Sequence, residues 1–178
     1  PEQWGERKVI VEAKSQPWLI FGYKRPDFRH KDSAALEALA NILGQGRSSR
    51  LYTLLVKDKK VAAQVSSFNG FPGEKFPNLI AFYAIAAPGH TSAECLELME
   101  AELEKIKKES VTAEELTKFK RSATKSILTQ MKSNTNMAAL LTSADAVLGD
   151  WRLLFDQVKE INAITVDDVK RVAGTYLI

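Results

Sequence analysis

The sequence predicts an α+β domain in which helices cover one face of an antiparallel β-sheet. Strand-like segments fall into two pairs with a helical segment between them, and everything after Pro88 has helical periodicity. Strands and helices that are segregated along a chain are typical of this class. The expected order is β-β-α-α-β-β, followed by four to five helices. The chain has 178 residues, 45% of them hydrophobic, which is enough for one core, so residues 1–178 are expected to form a single domain.

Four segments have the composition of strands. Residues 8–13 and 18–23 form the first pair, and a Gln-Pro step separates them. Residues 61–68 and 79–87 form the second pair, and a loop rich in glycine and proline connects them. Residues 79–87 are apolar on both sides of the strand, which favours a central position in the sheet.

Two helices are predicted between the strand pairs. The first begins at Asp32 or Ser33, which would cap it, and ends at Leu43, with Gly44 as its C′ glycine. A short second helix, capped by one of two neighbouring serines, extends to about Val56. The apolar residues of the first helix recur at helical spacing, so one of its faces is expected to pack on the sheet.

The later helices are predicted from their caps. Thr91 and Thr112 each precede a glutamate by three residues, which is the capping-box pattern, and residues 165–168, Thr-Val-Asp-Asp, are expected to cap a last helix. Residues 134–136 are expected to interrupt the helical run. Helices over residues 137–148 and 151–161 complete the series.

Composition and charge exclude several classes of protein. Lys and Arg number 25 and Asp and Glu 22, which gives a net charge of +3. No apolar run approaches 18 residues, so no membrane span is expected. The single cysteine, Cys95, excludes an internal disulfide and a cysteine-rich metal site. A basic run is interpreted as an exposed helix side, with a nucleic-acid patch as the alternative. It consists of Lys118, Lys120, Arg121 and Lys125.

The residues alone indicate no self-contained catalytic site. His30 and His90 lie in separate loops, and His-x-x-Glu-His is absent, whereas a catalytic zinc needs about three protein ligands. Cys95 follows a helix start that could favour its thiolate, but it lies beside an apolar stripe, which favours a partly buried structural side chain. Gly44 and Gly46 follow a helix rather than a strand, so they do not form a P-loop.

One segment carries a family resemblance. Residues 43–52, LGQGRSSRLY, resemble the Leu-Gly-Gly-Gly-x-Ser-Ser-Arg-Leu segment of pitrilysin/insulinase-type zinc metallopeptidases, in particular their second, non-catalytic half. The resemblance runs from about residue 8 to residue 178 and rests on the order and spacing of several segments. The others are residues 27–32, 61–66, 112–116, 148–151, 164–169 and 172–177.

The resemblance implies a division of labour between two halves. The catalytic half carries His-x-x-Glu-His and zinc, whose bound water the motif glutamate activates. That half would lie upstream in the same chain or in a separate subunit. This chain is expected to hold no zinc, to be inactive alone, and to enclose and position an unfolded peptide. Its expected partners are the catalytic half and the peptide substrate, without nucleic acid.

The expected substrate-facing residues belong to the glycine-containing segment. They are Gly44, Gly46, Ser48, Ser49 and Arg50. For Arg50, a structural role at the short helix is the favoured alternative. The family's substrate-holding Arg and Tyr correspond here to Val56 and Ala63, whose side chains cannot donate a hydrogen bond. This departure motivates an alternative function, an inactive structural or assembly subunit of the same fold.

The chain start and the cysteine content bear on processing and compartment. Pro1-Glu2-Gln3-Trp4 contains neither an initiator methionine nor a signal-peptide pattern, so the chain is expected to be a piece of a longer protein. A single cysteine suits a reducing compartment and a periplasm equally. The bacterial periplasm or cytoplasm is expected rather than a mitochondrion.

Overall fold

A computed structural model describes residues 5–178 and places helices on one face of a three-stranded antiparallel sheet. Residues 1–4, on which the expectation of a processed start rests, lie outside the described residues. The α+β prediction is confirmed. No helix within residues 5–178 has both the length and the apolar character needed to cross a bilayer.

The sheet has its most apolar strand in the middle. Its strands are β1 (Trp18–Arg25), β2 (Ala62–Phe71) and β3 (Asn78–Ala86), in the order β1-β3-β2, and both pairs are antiparallel. The central position predicted for residues 79–87 is therefore confirmed. Phe21 of β1 and Ser67 of β2 both lie opposite Phe82 of β3, so these residues share the face that the helices cover.

The strand predicted over residues 8–13 is wrong. The segment has no regular secondary structure, and Val9, Ile10 and Val11 are 77–84% exposed. The prediction relied on β-branched composition, but strand propensity expresses packing on a pleated, half-buried surface. Within residues 5–178 this segment has no such surface, so three strands form instead of the expected four.

Residues 5–178 form seven helices. They are α1 (Ser33–Gly44), a π-helix (Tyr52–Asp58), α2 (Ser92–Glu109), α3 (Ala113–Gln130), α4 (Asn134–Leu148), α5 (Leu153–Ala163) and α6 (Val166–Tyr176). Five of them follow the sheet, in agreement with the four to five predicted. The predicted short second helix is the π-helix. Its backbone hydrogen bonds join residues five apart, instead of four apart as in an α-helix.

The predicted helix starts at the three threonines are confirmed. Thr91, Thr112 and Thr165 each accept a hydrogen bond from the backbone N–H three residues on, and the acidic side chain there accepts one from the threonine's own backbone N–H. The predicted interruption at residues 134–136 is wrong, because Ser133 caps α4 and these residues form its first turn. In α2 it is Cys95 rather than its neighbour Leu96 that is fully buried.

Both ends of α1 differ from prediction. Asp32 occupies the N-cap position without a side-chain capping bond, because its carboxylate accepts hydrogen bonds from Arg171 and Tyr176 instead. Gly44 is the last helical residue rather than a C′ glycine, and the left-handed conformation occurs at Gly46, with φ +80°.

Helix α1 lies at the centre of the core. Nine of its 12 residues are buried, and it packs on β2 and β3 on one side and on α3, α5 and α6 on the other. A small second cluster joins α4 to α5 through Ala144, Leu148 and Leu154. The opposite sheet face carries aromatic side chains, among which Phe68 stacks on Tyr83 with ring centroids 5.4 Å apart.

Candidate functional site

The segment predicted to face substrate is a loop between α1 and the π-helix. Residues 45–48 are exposed, and we call them the loop tip. The structure brings the five predicted residues together but divides them by burial. Gly46 and Ser48 lie in the tip, whereas Gly44 and Ser49 are buried and Arg50 is half-buried.

The N-terminal end of the loop is fixed by close contact between α1 and β2. A Cβ added to Gly44 would lie 2.6 Å from Ser67 Cβ and 2.7 Å from Ser67 N, so only glycine permits this approach. The Ser67 hydroxyl donates a hydrogen bond to the Ala40 carbonyl at 2.7 Å, and Gln45 Nε2 donates to the Ser67 carbonyl. These contacts hold the end of α1 in place.

The loop tip turns at Gly46. Its left-handed backbone (φ +80°) is one that L side chains rarely adopt, and nothing lies within 4 Å of where a Cβ would stand. The Gly46 carbonyl accepts hydrogen bonds from the Ser49 hydroxyl at 2.8 Å and the Ser49 amide at 3.2 Å. The tip therefore combines a defined turn with open space above it.

Arg50 anchors the C-terminal end of the loop to the junction of α2 and α3. Its Nε and Nη2 donate to the two carboxylate oxygens of Glu115 at 2.7 and 2.8 Å. Nη2 also donates to the Ser110 carbonyl at 3.0 Å, and Nη1 lies 3.5 Å from Glu102 Oε1. The hydrogen bonds from Arg50 hold the pKa of Glu115 at about 2. These are the contacts of a structural arginine, the alternative favoured by the sequence.

The basic run comes into direct contact with the loop tip. Lys118 Nζ donates a hydrogen bond to the Ser48 hydroxyl, across 70 residues of sequence. Lys118 and Arg121 also line a shallow depression of about 460 Å³ on α3. Lys120 turns away from this side, because its Nζ donates to the Asn162 carbonyl at 2.8 Å. Sequence reasoning found both features separately but had no signal that they touch.

The two positions that depart from the family pattern lie in the π-helix and in β2. Val56 is half-buried within the π-helix, and Ala63 is exposed on β2. Neither side chain carries a hydrogen-bond donor. Whatever these positions contact, they cannot hold a substrate carbonyl or a developing oxyanion through their side chains.

The histidines do not form a zinc-binding donor set. His30 Nδ1 accepts the Asp32 amide at 3.2 Å, and His90 Nδ1 lies 3.2 Å from Glu94 Oε2. Asp32 Oδ2 lies 3.8 Å from His30 Nδ1, so each histidine has a nearby carboxylate, in a different part of the fold. Within residues 5–178 no group of three His, Cys, Asp or Glu side chains could hold a metal ion. These residues do not fit the three-ligand site that a catalytic zinc requires.

Cys95 has the environment of a structural side chain. It is fully buried, and its Sγ lies 3.6 Å from the Val61 carbonyl oxygen. Burial, together with the charge of Glu94, raises the pKa of the thiol. The neutral thiol is therefore favoured, against the activation that its place near a helix start could suggest.

Sequence reasoning missed a carboxyl on α1 whose pKa is raised. Burial raises the pKa of Glu37 on α1 to about 7, with a further contribution from Glu74. Its side chain lines a narrow cleft with Phe28 and Gln157, on the side of α1 that meets α5. The signal was the composition of α1, which is apolar around most of its circumference, as is typical of a helix buried on several sides.

Comparisons with known proteins agree on one family. The protein-family model described as the peptidase M16 inactive domain matches residues 1–123 of this chain. The zinc protease PqqE of Helicobacter pylori is 34% identical over 179 residues, which cover 99% of this chain and 39% of that protein. The zinc protease YmxG of Bacillus subtilis, described as uncharacterized, is 25% identical over 97% of this chain and 42% of its own length. The chain thus spans about two fifths of these curated relatives.

Solved structures give the same fold. A protease from Helicobacter pylori superposes with a TM-score of 0.83 at 32% identity, over 90% of this chain and 38% of that one. The inactive peptidase domain of a Bordetella parapertussis protein superposes with a TM-score of 0.80 at 28% identity. That match covers 96% of this chain and 89% of the other, so the two correspond along almost their whole length.

Proposed function

Because this chain belongs to the peptidase M16 inactive-domain family, the inactive half of zinc proteases, we propose that it encloses and positions an unfolded peptide for hydrolysis by a zinc-bearing half. Membership confirms the resemblance found in residues 43–52. The catalytic half, with His-x-x-Glu-His, would belong to the same longer protein or to a separate subunit. Zinc bound there would activate the attacking water, and this chain would contribute substrate position rather than a reacting group.

The geometry of the loop tip carries this proposal. Residues 45–48 are exposed, while Gly44 and Arg50 on either side are fixed by contacts with β2 and α3. A short exposed segment on a rigid base can hold a ligand in one position, because little conformational freedom is lost on binding. The open space at Gly46 also lets a peptide backbone approach closely.

The test uses the longer protein, or the two halves combined, with zinc content measured alongside peptide cleavage. Gly46→Ala places a side chain on the exposed tip and strains a left-handed backbone, at a cost of about 1–2 kcal/mol. Gly149→Ala is the matched control, because Gly149 has the same conformation (φ +84°) and equally open surroundings at the end of α4.

We expect Gly46→Ala to raise the KM for peptide cleavage about 3- to 10-fold, with zinc content unchanged. Gly149→Ala should lose similar stability and leave KM at its original value. Equal kinetics in both variants would remove the loop tip from the substrate site.

The alternative function is an inactive structural or assembly subunit, which the side chains at Val56 and Ala63 favour. It predicts that the longer protein, purified without chelators, neither binds stoichiometric zinc nor cleaves unfolded peptides. Cleavage by the zinc-bearing half that increases when this chain is added would instead support the positioning role.

A further inference from the structure

The helix that contacts the loop tip carries an unbalanced charge. Residues 116–144 contain five cations and no aspartate or glutamate, although the whole chain has a net charge of only +3. Helix α2 differs, since its lysines Lys105 and Lys107 pair with glutamates on the same helix. Four of these five cations lie on α3, whose two glutamates, Glu114 and Glu115, are both in its first turn, so positive charge is concentrated on the rest of α3.

Three of these cations lie along one side of α3. Lys118, Arg121 and Lys125 are spaced by three and four residues, which places them in a row about 10 Å long. All three are exposed, as is Arg47 in the loop tip. We call these four residues the cationic strip. Within residues 5–178, none of the four forms an ion pair with a carboxylate, in contrast to Arg50 with its bidentate contact to Glu115.

The cationic strip begins at the loop tip and borders the depression on α3. Lys118 reaches the tip through its hydrogen bond to Ser48. Lys118 and Arg121 then line the depression of about 460 Å³, together with Thr117 and Ala113. A ligand that contacts the tip can therefore continue along the cations without leaving the surface.

We propose that the cationic strip binds an acidic segment of the peptide substrate, which makes substrates with clustered aspartate or glutamate the preferred class. The proposal rests on the proposed function of the loop tip. An extended peptide rises about 3.3 Å per residue, so about four successive residues span the 10 Å row, and residues two apart direct their side chains to the same side. Carboxylates on such a segment would meet Lys118, Arg121 and Lys125 with complementary charge.

A peptide suits this surface better than a nucleic acid. The row of cations is short, and Glu114 lines the same depression at its N-terminal end, where it would repel a continuous run of phosphates. A peptide can place neutral residues opposite Glu114 and carboxylates further along. Exposed ion pairs are individually weak, at about 0–1 kcal/mol each, so the expected preference is modest and sensitive to salt.

The experiment compares two peptides in the longer protein. They share one cleavage sequence and differ only in a Glu/Asp stretch replaced by Gln/Asn. The variant is R121E/K125E, which spares Lys118 and its contact with the tip. The control is K31E/K170E, which makes the same change of charge at exposed cations outside α3 and the loop.

We expect the ratio of kcat/KM for the acidic to the neutral peptide to exceed one at low salt and to fall about 3- to 10-fold in R121E/K125E. The control should keep the original ratio, and 0.5 M salt (roughly a 4 Å screening length) should abolish the preference. An unchanged ratio in R121E/K125E would overturn the proposal while leaving the positioning role intact.

A binding measurement separates this proposal from the proposed function. Fluorescence anisotropy with the same peptides, carrying a fluorescent label, measures binding at the cationic strip even when the protein cleaves neither peptide. Acidic-peptide binding that R121E/K125E weakens would support the strip in an inactive subunit as well. Equal binding of both peptides would overturn it, as would tighter binding of a single-stranded oligonucleotide that R121E/K125E abolishes.

Discussion

Arg50 shows how one side chain determines where the loop between α1 and the π-helix ends. The sequence placed it after two serines at the start of a short helix, and this position indicated a structural role. It could not indicate the partner, because Glu115 lies 65 residues away. The contact forms because the capping box at Thr112 orients Glu115, which then accepts from both the Thr112 amide and the guanidinium.

Removing this carboxylate should destabilise the domain. Glu115→Gln leaves a half-buried guanidinium with a neutral partner, and we expect a loss of about 1–3 kcal/mol in the free energy of unfolding. Glu104→Gln is the matched control, because its pair with Lys107 is exposed, and it should cost much less than Glu115→Gln. Equal costs in urea titrations of the two variants would contradict the anchoring role of Glu115.

The same pair sets a pH dependence with a definite sign. The pKa of Glu115 is about 2 in the folded chain and near 4.5 when unfolded, so the stabilisation is complete above about pH 4.5. It is lost as the pH falls from 4.5 towards 2, because protonation removes the charge that Arg50 binds. Glu115→Gln should show a shallower loss of stability than the parent over this window. A parallel pH profile would contradict the assignment.

At the level of elements, the local features were predictable and the tertiary ones were not. Capping boxes are complete within four residues, so the starts of α2, α3 and α6 follow from sequence alone. Residues 8–13 had suitable strand composition but no partner or surface within residues 5–178. The loop tip was found through its motif, whereas its contact with Lys118 depends on how α3 packs.

The contact between α1 and β2 depends on a glycine at its closest point. Gly44→Ala should separate the two elements, because the added Cβ would meet Ser67 at 2.6–2.7 Å, and a loss of about 1–3 kcal/mol is expected. Gly174→Ala provides a matched control inside α6, where nothing lies within 4 Å. That change should stabilise the chain by about 0.5–1 kcal/mol through helix propensity. Thermal unfolding of both variants should show a lower Tm for Gly44→Ala and a higher Tm for Gly174→Ala. An unchanged Tm in Gly44→Ala would contradict close packing between α1 and β2.

At the scale of the whole molecule, one carboxylate connects the start of α1 to the last helix. Asp32 is 3% exposed and accepts hydrogen bonds from Arg171 at 2.7 Å and Tyr176 at 2.8 Å, 139 and 144 residues away. These bonds hold the pKa of Asp32 below its usual value, with Arg171 making the largest contribution. The capping role predicted for Asp32 was plausible locally, but α6 offers its carboxylate stronger partners than the first turn of α1.

A double-mutant cycle on this contact tests whether the chain behaves as a single domain. Asp32→Ala and Tyr176→Phe remove the two partners of one partly buried hydrogen bond, so their effects should be coupled by about 0.5–2 kcal/mol. Asp32→Ala with Tyr52→Phe is the control pair and should be additive within about 0.5 kcal/mol. Because the contact joins both ends of a single core, tryptophan fluorescence and far-UV circular dichroism should report one shared unfolding transition in every variant. Additive effects at Asp32 and Tyr176, or separate transitions for the two probes, would show that α6 unfolds independently of the sheet and α1.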